Sequence, residues 1–461
     1  MSLALQLRIF SRAFPAAILV LFAVLMSAAA ETPLKGRLII LTSFPDALFD
    51  PYRRAFQAKH PDLTIHILNK KTSAAISYIQ DKSSTQVDLV WASAPDAFEM
   101  LKQSGHLRKR EGAGSAPVKR VAGYPLDDPD GYYTGFAVSG YGVMWNTEYL
   151  ARYNLKAPAN WDDLAKPAYA GHLAITAPSR SGTTHLIVEI ILQSKGWREG
   201  WNLLLRMSGN LATVTARSFG VRDGIRVGRF GTGPVIDFFG FSSMATGKPV
   251  GFAYPAETVL LPANVAIVEG AQNLPAAAAF IRFLKSAEGQ RILFKPEISR
   301  LPVRPDVYRD APAAIPNPFN GSIRTKGLIF DSNLSRQRYH LVNVLFDVLI
   351  THRLTAAKAA WASLHEAEAV LAGLPDPELR ARIAEARDLL TQVPVSKEES
   401  RQASFTRQFS RKKPGFAVSQ RQAALEAGWV ASAKSRYAEA RRISDEVRSA
   451  LAARSLMSQT Q

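Results

Sequence analysis

From residue 37 to about residue 308, short runs of aliphatic and β-branched residues alternate with longer runs of helical period, and this alternation constrains the fold more than any other feature. It implies an α/β architecture. Strands are expected at residues 37–41, 87–92, 142–145, 172–175, 211–215, 234–236, 250–253 and 264–268. Several end in small polar residues: Thr42 and Ser43 after the first, Ser93 after the second, and a Ser/Gly/Thr turn after the fourth. In open parallel sheets, ligands bind beyond the carboxyl ends of the strands, where backbone and hydroxyl donors converge. The recurrence marks one edge of this chain's sheet as a binding edge.

The turn after the fourth strand is the most specific of these. Pro178-Ser179-Arg180-Ser181-Gly182-Thr183-Thr184-His185 separates an apolar run, 172–177, from a helical run, 186–195. A strand that passes through such a turn into a helix leaves the first helical N–H groups unpaired and aimed past the strand end, where phosphate, phosphonate or carboxylate is well placed. Glu189 in an early turn, Lys195 in the last and Gly196 beyond it support the helix. An ordinary serine N-cap explains the same eight residues without any ligand. Both readings stand on these residues alone.

Export sets the context. Arg8 and Arg12 precede an apolar run, 15–26, and Ala28-Ala29-Ala30 offers a small-residue cleavage site. The apolar run is shorter than the ~20 residues of a spanning helix. The expectation is a signal peptide cleaved near Ala30 and a soluble periplasmic protein, not itself membrane-embedded. The chain has no cysteine, which excludes a lipidated N-terminal cysteine, disulfides and thiol chemistry. Its 57 Lys and Arg against 39 Asp and Glu give a net charge of +18. That charge is dispersed, with one tight cluster at Arg411-Lys412-Lys413, so a solvated basic surface accounts for it and no nucleic-acid partner is expected.

Beyond residue 310 the alternation stops at Pro312, Pro316 and Pro318, and helical patterns take over at 336–371, 377–390 and 419–453, with a loop-like stretch at 392–416. The expected organisation is a signal peptide (1–30), a solute-binding α/β domain (31–310) and a helical C-terminal extension (311–461).

Catalytic and metal constellations fit poorly. Ser181 lies in a strand–turn–helix, but its flanks are not G-x-S-x-G, and capping or packing is sufficient reason for His185. A phosphate-ester hydrolase using Ser181 is therefore the alternative of another class. The histidines show no ligand-pair spacing, Tyr132-Tyr133 follow a turn, and the glycines of 228–233 lack dinucleotide spacing. No catalytic residue, metal site or cofactor is expected.

Two stretches, Leu38-Ile39-Ile40-Leu41-Thr42-Ser43-Phe44 and the helix of 276–290 (AAAAFIRFLKSAEGQ), resemble the periplasmic substrate-binding proteins of ABC-type transporters, in the iron, phosphonate and sugar-phosphate branch. Residues 178–185, 196–197, 207–211, 217–221 and 233–237 are similar to the phosphoglycerate transport regulatory members of that branch, and the similarity extends more loosely into 361–368. The resemblance implies a two-lobed α/β fold of the type 2 periplasmic-binding kind, here followed by an all-α extension. The solute is held between lobes that close on it. A membrane permease, a membrane sensor kinase or both are the implied partners. Iron-binding members use a late tyrosine pair, where this chain offers only Tyr254, and polyamine-binding relatives use acidic residues, whereas Arg180, Arg217 and Arg222 here stand against Asp237. Ferric iron and polyamine are the alternative ligands to a small phosphorylated or phosphonate anion. The candidate ligand-binding residues are Thr42, Ser43, Phe44 and Ser93 from one lobe, and Ser181, Gly182, Thr183, Thr184, Arg217, Asp237 and Tyr254 from the other. Ser181 to Thr184 would hold the phosphoryl group, Arg217 would add charge, and Asp237 would take a ligand hydroxyl or amine.

Overall fold

The computed structural model describes residues 33–81, 86–110, 119–409 and 417–459. The expected signal peptide and the basic cluster 411–413 lie outside them.

Twelve strands are placed among the described residues: β1 (Gly36–Thr42), β2 (Leu63–Asn69), β3 (Leu89–Ala92), β4 (Arg120–Val121), β5 (Tyr124–Pro125), β6 (Tyr133–Asn146), β7 (Leu173–Thr176), β8 (Leu211–Thr215), β9 (Thr232–Ile236), β10 (Val250–Ala253), β11 (Leu260–Ile267) and β12 (Leu301–Pro302). The α/β part carries helices α1 (Asp46–Lys59), α2 (Thr72–Gln80), α3 (Pro95–Gln103), α4 (Thr147–Arg152), α5 (Gly182–Lys195), α6 (Trp197–Gly209), α7 (Ser218–Arg226), α8 (Asp237–Ala245), α9 (Leu274–Lys285) and α10 (Ala287–Ile292).

The main sheet runs β2-β1-β3-β11-β6-β9-β7-β8, with β10 and β12 also paired to β6. Its two ends are parallel, β2-β1-β3 and β9-β7-β8. The middle is not: β11 runs antiparallel to β3 and β6, and β6 antiparallel to β9. The sheet is thus mixed, and β6 serves both halves. Residues 133–140 pair with β11, and residues 141–146 pair with β9 and β10. Only Trp145 of its 14 residues is not fully buried. The sequence expectation covered only the second half of this strand, and it omitted β2, where Thr64 and His66 point to solvent from a sheet edge.

Lobe one, around β1–β3 and β11, packs Leu38, Ile40, Trp91, Phe136, Val265 and Phe280 into one core. Lobe two, around β7–β9, builds a second core from Ile175, Leu186, Ile190, Trp201 and Ile236. That second core continues into Leu341, Leu345 and Phe346 of the extension.

The extension comprises α11 (Ser332–Gln337), α12 (Tyr339–Leu349), α13 (Leu354–Leu371), α14 (Pro377–Thr391), α15 (Lys397–Arg401), α16 (Ala403–Thr406) and α17 (Gln420–Gln459). The single helix expected over 336–371 is therefore broken at Arg338 and again at the 3₁₀ turn Thr351–Arg353. The first break has a tertiary cause. Arg338 turns inward and donates from Nε and Nη2 to the two carboxylate oxygens of Glu189 on α5, at 2.9 and 2.8 Å. The stretch 392–416, expected as loop, includes α15, capped reciprocally by Ser396 and Glu399, and α16. Helices α13, α14 and α17 share a third core through Ala360, Leu364, Ile383, Leu390, Tyr437 and Ile443. Among the described residues no helix is long and apolar enough to cross a membrane.

Arg338 and Glu189 are 3% and 0% exposed, so each is the main compensation of the other's charge, with Gln193 Nε2 also donating to Glu189 Oε2 at 3.1 Å and the Trp197 ring under Arg338 at 4.9 Å. Burial pushes the Glu189 pKa up, but the guanidinium outweighs it and the net displacement is downward. Removing one partner strands the other in the core. Arg338→Ala is expected to lower the unfolding free energy by about 3–5 kcal/mol, read as a reduced urea midpoint, with most of the loss recovered in Arg338→Met/Glu189→Leu. An unmoved midpoint in the single variant would show that this pair does not hold the extension.

Candidate functional site

The strand ends β1, β3, β7 and β9 bring their following turns to one narrow cleft between the lobes. Lobe one contributes Ser43, Phe44, Pro45, Lys71, Thr72 and Ser93, and lobe two contributes residues 180–183, 217–219, Phe238 and Phe239. Arg300, which immediately precedes β12, closes the lining. Lys71, Arg180, Arg217 and Arg300 are cationic, and among the described residues no carboxylate lines the cleft.

The backbone adds to that positive character. Helices α1, α2, α5, α7 and α8 all begin at lining residues or the next one along: after Pro45, at Thr72, at Gly182, at Ser218 and just before Phe238. Each helix start carries the positive end of the helix dipole, and first-turn N–H groups remain free to donate except where a carboxylate takes one, as Asp46 does from Ala47 N in α1 and Asp237 from Phe238 N in α8. At α5 the N-cap reading and the anion-mouth reading of Ser181 turn out to be compatible. Its Oγ accepts from Thr184 N at 3.3 Å, capping the helix, while the hydroxyl proton and the first N–H groups of α5, at Gly182 and Thr183, remain to donate. A Cβ on Gly182 would lie 3.0 Å from Thr72 Oγ1 and 3.1 Å from Ala94 Cβ across the cleft, so the absence of a side chain permits the approach of the two lobes.

Arg300 is the strongest electrostatic feature. It is 1% exposed, and its guanidinium lies over the Phe238 ring at 3.6 Å and the Phe44 ring at 4.6 Å from the centroids. Its Nε, Nη1 and Nη2 are buried with no hydrogen-bond partner among the described residues. Burial pushes its pKa down, against the opposing pull of Asp237 and of Tyr141 and Tyr52. A desolvated guanidinium with free donors favours an anionic acceptor. Arg217 sits at the N-terminus of α7 with its guanidinium over Phe219, 4.9 Å from the centroid. Its turn is held by Thr215 Oγ1 donating to Arg217 O at 2.9 Å.

Of the residues expected from sequence, Ser43, Phe44, Ser93, Ser181, Gly182, Thr183 and Arg217 meet at the cleft. Four do not line it. Thr42 is buried, donates to Trp91 O at 2.7 Å and accepts from Phe44 N at 3.1 Å, fastening the ends of β1 and β3. Thr184 is buried within the first turn of α5. Asp237 accepts from Gly140 N at 2.6 Å, Phe238 N at 2.7 Å and Tyr254 Oη at 2.8 Å, and is completely buried. With three donors on its carboxylate, Asp237 has a structural role, and Tyr254 is its partner. Burial pushes the Asp237 carboxyl up to about 6, against those hydrogen bonds and Arg300. Arg222 pairs with Asp223 at 2.8 Å and packs over Phe239, outside the lining. Sequence reading missed Lys71, Thr72, Phe238, Phe239 and Arg300. The last belongs to no motif, and nothing in the sequence around it signals a site.

Comparison with known proteins identifies the family and the fold. Residues 84–320 match the family of bacterial extracellular solute-binding proteins. The chain is 34% identical over 376 residues to the phosphoglycerate transport regulatory protein PgtC of Salmonella typhimurium, covering 81% of this chain and 90% of that protein. Among solved structures, the periplasmic binding protein AfuA of Actinobacillus pleuropneumoniae, determined with fructose-6-phosphate, superposes with a TM-score of 0.61 at 20% identity, over 68% of this chain and 98% of that one. The apo ferric ion-binding protein A of Pasteurella haemolytica gives a TM-score of 0.56 at 13% identity, over 68% and 96%. These likenesses identify the fold as the two-lobed type 2 periplasmic-binding fold, continued here by a C-terminal helical extension. The chain belongs to the family of bacterial extracellular solute-binding proteins.

Proposed function

We propose that the chain is a periplasmic solute-binding protein that captures a small phosphorylated or phosphonate anion of phosphoglycerate type, and serves an ABC-type permease, a membrane sensor kinase or both. The observation that carries the reading is the buried Arg300, whose guanidinium has no hydrogen-bond partner among the described residues, in a cleft that also presents Lys71, Arg180 and Arg217 and, among the same residues, no carboxylate. The N–H groups of Gly182 and Thr183 and the Ser181 hydroxyl approach the same space from α5, which suits a phosphoryl group. The permease and kinase belong to this reading through the similarity to PgtC, named as a phosphoglycerate transport regulatory protein.

Neither ferric iron nor polyamine suits this lining. Tyr254 is engaged by Asp237, and the cleft's own charges repel cations. Hydrolysis through Ser181 lacks a base. His185 faces away, with Nδ1 2.9 Å from Asn343 Oδ1 and Nε2 3.2 Å from Ser335 Oγ, and Ser181 Oγ serves as a helix cap.

A thermal-shift panel on the mature chain tests the ligand class with 3-phosphoglycerate, phosphoenolpyruvate, fructose-6-phosphate, aminoethylphosphonate, ferric citrate and spermidine. A phosphorylated compound at 100 times its dissociation constant stabilises by about 2.7 kcal/mol. A response confined to iron or spermidine would sink the anion reading.

Substitution of Arg300 separates binding from folding. Arg300→Met is expected to weaken binding of the responding phosphorylated compound by roughly 10- to 150-fold, the worth of about 1.5–3 kcal/mol of charge-assisted hydrogen bonding. Stability without ligand should be unchanged or higher, since a buried cation without acceptors is removed. Calorimetry and urea unfolding read the two effects. Unaltered affinity in this variant would remove Arg300 from the site.

A further inference from the structure

The extension touches both lobes beside the first turn of α5. Asp96 lies in the first turn of α3 in lobe one, and His185 in the first turn of α5 in lobe two; both are 0% exposed. They approach to 3.5 Å between Asp96 Oδ2 and His185 Nε2. Ser335 of α11 stands between them. Its Oγ donates to Asp96 Oδ2 at 3.0 Å and lies 3.2 Å from His185 Nε2. Asn343 of α12 holds the other ring nitrogen, with Oδ1 2.9 Å from His185 Nδ1. One buried hydroxyl from the extension is therefore bonded to both lobes. The lobes also meet directly at this level: Ser73 Oγ donates to Ser179 O at 3.3 Å, Gly182 sits against Thr72 and Ala94, and Ile76 and Phe98 belong to the same buried core as Leu186 and Ile187.

We propose that Ser335 and Asn343 are positioning residues for the cleft. They hold α5, whose N-terminus faces the solute, against α3 of lobe one, and thereby set the spacing of the two lobes. The functional part of this inference rests on the reading of the cleft as an anion site. Opening the lobes separates Asp96 from His185, and Ser335 cannot keep both bonds when that happens. Cleft spacing and the attitude of α11–α12 are thus linked, and by reciprocity a change imposed on the extension alters solute affinity.

The absence of cysteine makes the spacing directly measurable. Spin labels are placed through Asp62→Cys in lobe one and Val227→Cys in lobe two, both at exposed positions, and their distance distribution is measured in the full mature chain by pulsed electron resonance. In the absence of any solute, Ser335→Ala and, separately, Asn343→Ala are expected to shift the distribution to longer distances and broaden it. Titration with 3-phosphoglycerate should return it to the parent form, with affinity reduced about five- to tenfold, the scale of a lost hydrogen bond. Distributions in both variants that superimpose on the parent's overturn the proposal. Failure of 3-phosphoglycerate to bind the parent counts against that ligand for the cleft, while the solute-free distances still decide the positioning role.

Discussion

Strand β6 pairs on one stretch with β11 and on the next with β9 and β10, so a single buried run of chain joins the two halves of one sheet. Every other placement follows from that sharing. The lobes cannot drift apart as separate domains because their central strand is continuous. The connections that leave the other strands must then deliver their turns toward the same interval. Gly140, near the junction, shows how tight this region is: a Cβ there would fall 2.4 Å from the Tyr254 ring, and its N–H is already given to Asp237. Asp237 in turn fixes the start of α8, where Phe238 supplies one wall for Arg300.

The cleft combines two sources of positive potential with different physical character. Helix starts contribute fixed partial charges whose direction the backbone sets and whose effect fades beyond a turn. Guanidinium and ammonium groups contribute whole charges, and Arg300 does so from a position where water is largely excluded. Interactions there are stronger than at the surface, and an unpaired charge is costlier. The aromatic faces of Phe44 and Phe238 accommodate the cation without neutralising it.

How far the sequence could be read depended on the range of the interaction concerned. Local signals were legible: the Ser181 cap, the Gly182 turn and most strands each announce themselves within a few residues, whereas Arg217 was found through the family resemblance. The coarse plan of an α/β part followed by helices was legible for the same reason. Long-range partnerships were not. Asp237 and Tyr254 have the chemistry of ligand residues, and only the folded chain shows them hydrogen-bonded to each other with Gly140 N–H between β6 and α8. Arg300 follows Ser299, a non-glycine residue at φ 45°, and reaches the cleft only because β12 returns to pair with β6. The break at Arg338 was hidden likewise, since its cause lies 149 positions away at Glu189.

Helix α17 extends for 40 residues, which at 1.5 Å per residue is about 60 Å. It meets α12 toward its beginning, where Trp429 and Ala433 join the lobe-two core and Tyr437 Oη donates to Leu349 O at 2.9 Å. Farther along it is bound to α13 and α14. Helix α13 is also seated on lobe two, where a Cβ on Gly209 of α6 would fall 2.6 Å from Trp361, so the bundle moves with that lobe, and a rotation of lobe two by ~5° carries the distal end of α17 through ~4 Å over the remaining length of helix. A displacement too small to notice at the cleft becomes, at that distance, about as large as a side chain.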